Sequence, residues 1–306
     1  MKILILGAGG IGGYFGARLI QAGADVTFLL REQRKQLIDR SGLQVETPQG
    51  NFSVQPRTVT AATVQPEYDL IVLAPKAYDL DDALNSLAGA DRRGVLLPFL
   101  NGLDHLRVLD ARYGRARVLG GVAHIAATIT PSGAVKQLSE LHRLTVGARD
   151  AAHTELARAF AALGAGAGFD SVYSEQIEQV LWNKWVFLAT LAGMTTVCQG
   201  SVGEILATSE GEALTRQMFA ECCAVAQAGG HPISAEEQGK ALAMLTQKGS
   251  AFTASMLRDL QGGQRTEHEH ILGDMVRRGQ QAGTGVDLLR LAYTHMAVRG
   301  GQAKRA

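Results

Sequence analysis

The sequence predicts an α/β protein in two parts: an N-terminal Rossmann-type, doubly wound parallel sheet and an all-helical C-terminal domain. Three observations carry this. Short apolar runs alternate with helical patterns through the first half, a glycine-rich turn follows the first run directly, and from Ser174 onward the apolar spacing is only helical. The spacing puts the boundary near residue 172, between an α/β part at 1–172 and a helical part at 173–306.

The first run, Ile3–Leu6, is bounded by "GAGGIGG" at 7–13, with a helix expected over "YFGARLIQAG". Gly7, Gly9 and Gly12 match GxGxxG. The first permits the tight turn, the second lets a pyrophosphate approach the backbone, and the third lets helix and strand pack closely. With Ala8, Gly10 and Ile11 they form a candidate phosphate loop at a helix N-terminus, where unpaired N–H groups and a partial positive charge favour an anion. The second run, Val26–Leu30, ends in "REQRK". An NAD site wants an acid there and an NADP site a cation. Arg31 comes first, with Arg34 and Lys35 close behind, and Glu32 points across the strand direction, so NADP(H) is the expected cofactor.

"LQVETPQGNFSVQP" (43–56) reads as a hairpin or edge excursion turning at Gln49-Gly50. Leu70–Ala74 and Val95–Phe99 are further buried strands, followed by Pro75-Lys76 and by Leu100-Asn101-Gly102. Ligands of open α/β sheets bind beyond the carboxyl ends of strands, which makes Lys76 and Asn101 candidates on the nicotinamide side; a solvated lysine and an Asn-Gly turn are the plain alternatives. Val118–Val122 is a fifth run, 134–149 adds late antiparallel strands, and "LGAGAGFD" (163–170) is the helix-to-strand turn of the last α/β unit.

The helical half opens with "QIEQVLWNKWVFLATLAG" (176–193), behind an N-cap candidate at Ser174. Ile177, Val180, Leu181, Leu188 and Leu191 form one apolar stripe, and Lys184 falls in its middle. Such a lysine either snorkels to the surface or faces a cleft, where desolvation lowers its pKa toward the range useful for acid–base work. A hydride added to a ketone leaves an alkoxide that needs a proton and a nearby positive charge; Lys184 could supply both. Turns fall near 229–232 and 283–285, and a short polar tail follows Arg299.

Composition narrows the partners. The net charge is +1 and no basic stripe carries interleaved aromatics, which argues against nucleic acid. The longest apolar stretch, after Lys184, is broken well short of the ~18 residues a span requires. Cys198, Cys222 and Cys223 show no CxxC pairing, and an odd number of thiols without a leader suggests a reducing cytoplasm. "EHEH" (267–270) tempts a metal reading through His268 and His270, but residues two apart on a helix face different ways and no further ligand stands at zincin spacing, so no metal is expected.

Together "GAGGIGG", Arg31, "APKA" with Lys76, Asn101-Gly102, "LWNKW" with Lys184, and "SMLRDLQGGQRTE" with Ser255 and Glu267 resemble the ketopantoate reductase (2-dehydropantoate 2-reductase) family over nearly the whole chain. The resemblance implies a Rossmann domain and a helical domain, with NADPH and substrate in the cleft between, and reduction of 2-dehydropantoate to pantoate in pantothenate biosynthesis. It implies Lys184 as general acid and substrate contact, and Gly7 to Gly12, Arg31, Lys76, Asn101 and Ala126 as cofactor residues. Ser255 would hold the substrate carboxylate, and Glu267 would reach the nicotinamide end or a substrate hydroxyl. From the residues alone, Ser255 could equally bond back to its own helix.

The chain departs from that pattern where the pantoate reductases carry asparagines one and two turns after the lysine and in the following Asn-Gly. Leu188, Ala192 and Val202 stand there, so Leu188 and Ala192 are expected to line a less polar substrate site. The partners expected are a small-molecule 2-oxoacid and at most a second copy of the chain as a homodimer. Two rival readings are a β-hydroxyacid dehydrogenase, against which "SMLRDL" with Thr266-Glu267 argues, and an NADPH-binding sensor without turnover.

Overall fold

A computed structural model describes residues 1–303, with side chains for 1–300; the last residues of the polar tail, 304–306, lie outside the described residues. The chain divides into two compact units, 1–100 with 105–178, and 101–104 with 179 onward.

The first unit begins with β1 (Lys2–Leu6), α1 (Gly10–Gln21), β2 (Asp25–Leu29) and α2 (Glu32–Ser41). Next come the short strands β3 (Leu43–Glu46), β4 (Phe52–Val54) and β5 (Arg57–Val59). β6 (Leu70–Leu73), α3 (Leu80–Ser86) and β7 (Val95–Pro98) follow. α4 (Asp104–Tyr113), β8 (Gly120–Ile129), β9 (Val135–Gly147), α5 (Thr154–Ala165) and β10 (Asp170–Tyr173) complete it, Asp104 itself being assigned to the second unit.

The main sheet has the order β5-β2-β1-β6-β7, all parallel. Its central strands are apolar at nearly every position because both faces are covered. The order reverses between β1 and β6, and beyond the carboxyl ends of those two strands lie the glycine turn and Lys76.

A second sheet pairs β8 with β9 antiparallel along almost their full length, and sets β10 and β3 beside β9 in parallel, β4 completing the β3 hairpin. The 43–56 segment is therefore the predicted hairpin, but it joins this second sheet and is no excursion from the main one. Its neighbour β9 lies about ninety residues on, a pairing that local periodicity does not encode. β8 also runs seven residues past the predicted end of its strand, along the half-exposed stretch to Ile129.

A buried cation organises the end of this unit. The Arg149 side chain, 3% exposed, donates to both Asp110 oxygens at 2.6 and 2.7 Å and to Glu178 Oε1 at 3.1 Å. Two carboxylates and bidentate geometry are what make a charge tolerable there.

The second unit is built on α6 (Ile177–Cys198), whose first two residues belong to the first unit. The Ser174 hydroxyl accepts from the Gln176 N–H at 3.1 Å, so it makes a turn ahead of the helix and is not its N-cap. Thr190, Thr195 and Thr196 are fully buried in α6, their hydroxyls donating to carbonyls one turn back at 2.9, 2.7 and 2.6 Å, which satisfies them without a partner helix. α7 (Val202–Leu206) starts at a capping box between Ser201 and Glu204. α8 (Gly211–Ala228), α9 (Ala235–Leu245), α10 (Ser255–Gln261), α11 (Asp274–Ala282) and α12 (Asp287–Ala303) complete the unit. Glu221 on α8 caps α12, accepting from the N–H groups of Leu288 and Leu289, both at 3.1 Å. No helix among the described residues is long and apolar enough to cross a membrane.

Candidate active site

The glycine turn has the shape its sequence predicts. Gly7 takes φ +88°, and a Cβ at Gly12 would lie 2.4 Å from the Gly7 carbonyl oxygen. A Cβ at Gly9 would meet nothing within 4 Å, so the backbone there faces open space. α1 begins at Gly10 with no side-chain cap and no acid in its first turn, leaving its N–H groups and dipole available to an anion. These features fit a dinucleotide pyrophosphate.

Arg31 is exposed at the N-cap of α2. Its two basic neighbours are committed elsewhere. Arg34 donates to the carbonyls of Gly133 at 2.6 Å and Ala8 at 3.0 Å, bracing the glycine turn, and Lys35 pairs with Asp39. Among the described residues, Arg31 is thus the cation of these three with no recorded partner at this strand end. Ala126 falls at an irregularity in the β8–β9 register, and the carbonyl of Ala127 closes on Gly10, where a Cβ would approach it to 2.9 Å. Lys76 is exposed at the start of a short 3-10 turn, 77–79.

Within the second unit, three expected residues meet in one hydrogen-bonded chain. Lys184 Nζ donates to Asn101 Oδ1 at 3.2 Å, and Asn101 Nδ2 donates to Glu267 Oε2 at 3.3 Å. The cation and the carboxylate fix which way the Asn101 amide faces, since its oxygen can only accept and its NH₂ only donate. Burial pushes the Lys184 ammonium down to about 8, with the Glu267 charge pulling the other way. Glu267 is 5% exposed.

Two further contacts hold this arrangement. Gly102 takes φ +78°, and a Cβ there would lie 2.3 Å from the His270 carbonyl oxygen, so only glycine brings Asn101 this close to the 267–273 segment. Residues Glu269–Gly273 form a π-helical turn, and the buried Trp185 indole N–H donates to the Ile271 carbonyl at 3.0 Å. π-turns recur at functional sites, and this one begins two residues after Glu267. It replaces the regular helix assumed for "EHEH". His268 Nδ1 lies 2.8 Å from the Thr266 hydroxyl, and no metal-binding group of three or more His, Cys, Asp or Glu occurs among the described residues.

A proton donor must be protonated, so activity that depends on Lys184 is lost as pH rises through its pKa, which places the alkaline limb of kcat/KM near pH 8. Glu267→Gln removes the charge that raises this pKa, and the limb is expected to move to lower pH. A limb that stays put or moves up in the pH profile would disprove the coupling.

The remaining expected residues lie apart from this chain. Ser255 opens α10, half-buried, and makes no hydrogen bond to it among the described residues. Leu188, one turn beyond Lys184, keeps some accessible surface, whereas Ala192 and Val202, 2% and 4% exposed, are buried. Ala192 therefore packs in the core instead of lining an accessible wall. Sequence reasoning missed Trp185 and Gly102 as holders of the site, because their partners are backbone carbonyls remote in sequence. It also missed Phe252, whose ring stacks on Phe187.

Fold and site together define a nicotinamide-dependent oxidoreductase. The sequence profile of the ketopantoate reductase PanE/ApbA family matches residues 3–151, and that of the family's C-terminal domain matches 176–299; the chain belongs to this family. It is similar to the "Uncharacterized oxidoreductase YkpB" of Bacillus subtilis, at 32% identity over 97% of this chain and 98% of that one. The 2-dehydropantoate 2-reductase of Archaeoglobus fulgidus is 30% identical over 92% of each chain. Among solved structures, a PanE/ApbA family ketopantoate reductase from Ralstonia eutropha JMP134 superposes with a TM-score of 0.88 at 25% identity, covering 99% of this chain and 100% of that one.

Proposed function

We propose that the protein reduces a 2-oxoacid to a 2-hydroxyacid with NADPH, residues 1–172 serving the cofactor and 173–306 the substrate chemistry. The observation that carries this is the chain Lys184–Asn101–Glu267: a desolvated ammonium held by a neutral amide that is itself held by a carboxylate. Bound NADPH supplies the hydride that reduces the keto carbon. Lys184 Nζ stabilises the negative charge growing on the keto oxygen and gives it a proton, ending as a neutral amine that solvent reprotonates. Asn101 positions Nζ, and Glu267 favours its charged form. Ser255 is the residue we assign to the substrate carboxylate. Three free cysteines suit a reducing cytoplasm.

Relatives named 2-dehydropantoate 2-reductase support 2-dehydropantoate, reduced to pantoate, as the reference substrate. Leu188, which stands where the family carries an asparagine and keeps accessible surface one turn beyond Lys184, favours a less polar 2-oxoacid. The test is NADPH oxidation across a panel of 2-oxoacids. Consumption supports the reductase reading; binding without consumption would support a sensor, and NADP⁺ reduction seen only with β-hydroxyacids, run in the reverse direction, a β-hydroxyacid dehydrogenase. In the same assay NADPH should be preferred to NADH by at least about tenfold, because a charge-assisted phosphate contact contributes roughly 1.5–3 kcal/mol. Arg31→Ala should erase most of that preference, and equal use of both cofactors by the unaltered protein would rule out the assignment of Arg31.

A further inference from the structure

α6 turns a narrow, partly accessible face outward around Lys184. Val180, Lys184, Phe187 and Leu188 are half-buried there, while Leu181, Trp185, Val186 and Ala189 are buried. At 3.6 residues per turn, Phe187 and Leu188 flank Lys184 one turn on, at roughly 60° and 40° to either side. Phe252 extends the Phe187 flank: the two rings stack with centroids 6.2 Å apart and planes 25° apart, and Phe252 remains 39% exposed.

Phe252 is held from behind. Its carbonyl accepts from the Val202 N–H at 3.0 Å, and the Ser250 carbonyl accepts from the Gly203 N–H at 2.8 Å. A Cβ at Gly203 would lie 2.6 Å from the Ser250 nitrogen, so the segment carrying Phe252 sits against the first turn of α7 with no room to spare. An exposed ring fixed in this way, stacked on a residue one turn from Lys184, is a built surface.

From this we infer that Phe187, Leu188 and Phe252 select the substrate: the carbon chain beyond the keto group is a branched or aromatic hydrocarbon, packed against Leu188 and the exposed Phe252 face. The inference rests on the 2-oxoacid reading above. None of the three side chains can donate or accept a hydrogen bond, so a hydroxyl placed among them would be desolvated without return, while apolar surface would be buried with gain. An aryl group would stack on Phe252 in the offset manner that aromatic pairs favour.

The experiment uses the full chain with saturating NADPH and measures kcat/KM for phenylglyoxylate, 4-methyl-2-oxopentanoate, 2-dehydropantoate and pyruvate. The first two should exceed pyruvate by more than about tenfold, as expected when several apolar groups find a fitted pocket, and should not fall below 2-dehydropantoate. Phe252→Ala should lower the phenylglyoxylate-to-pyruvate ratio by about tenfold, chiefly through KM, since ground state and transition state lose the same contact. Phe252 is exposed, so the fold should tolerate the change. Phe187→Leu, a second variant, should lower the aromatic substrate more than the branched one. A marked preference for 2-dehydropantoate, or variants that leave all ratios unchanged, would overturn the inference and leave the reductase reading standing. If none of the four acids is reduced, the 2-oxoacid reading itself has failed, and the inference falls with it.

Discussion

Lys184→Ala is expected to lower kcat by at least ~10²-fold while NADPH affinity stays within a few-fold, the pattern of a lost general acid. The ammonium is held on Asn101 and desolvated, so its removal takes away both the proton and the charge that meets the developing alkoxide. Folding should not suffer at neutral pH. A lysine whose pKa falls from 10.5 to about 8 on folding opposes folding wherever it is protonated in both states, that is, below about pH 8; that cost fades as pH rises toward 10.5. Steady-state kinetics alongside thermal unfolding check both halves. Turnover close to that of the unaltered protein would show that Lys184 is only a buried lysine and would end the mechanism.

Gly102→Ala carries the second large effect. The residue combines φ +78° with a backbone oxygen 2.3 Å from any Cβ, so alanine brings a disfavoured conformation and a clash that only movement of the main chain can relieve. The two costs together come to roughly 2–4 kcal/mol. The strain falls between Asn101 and the His270 carbonyl, so the Lys184–Asn101–Glu267 chain should loosen with it. Urea unfolding should show the lower midpoint, and kcat should fall more than KM rises. A variant with unchanged midpoint and kcat would mean that the close approach to His270 is not what places Asn101.

Much of this could be read from the chain, because its signals are local. The glycine turn combines a strand, a tight turn and a helix start within about fifteen residues, and it folds as its spacing predicts. Lys184 stood out because a cation on an apolar stripe breaks a pattern. Asn101 was legible only in part: its place at a strand end pointed to the cofactor, whereas its two hydrogen bonds go to Lys184 and Glu267, 83 and 166 residues away. The second sheet shows the same limit, since β3 pairs with β9 across a long separation. Arg34 misled for a different reason. Charge at a strand end suggests a phosphate, and nothing in the sequence reveals that two carbonyls already occupy its guanidinium.

The indole that clamps the π-turn also gives the molecule an optical address. The chain has two tryptophans, Trp182 and Trp185, with ring centroids 5.1 Å apart and planes tilted by 45° within one turn of α6, and Arg278 lies over both rings. All indole emission therefore originates beside Lys184, from the helix turn that carries it. Its intensity and colour report the polarity and packing of that turn alone, undiluted by emitters elsewhere in the chain. A change in that light when a ligand binds can be assigned to the surroundings of one lysine without a label and without mutation.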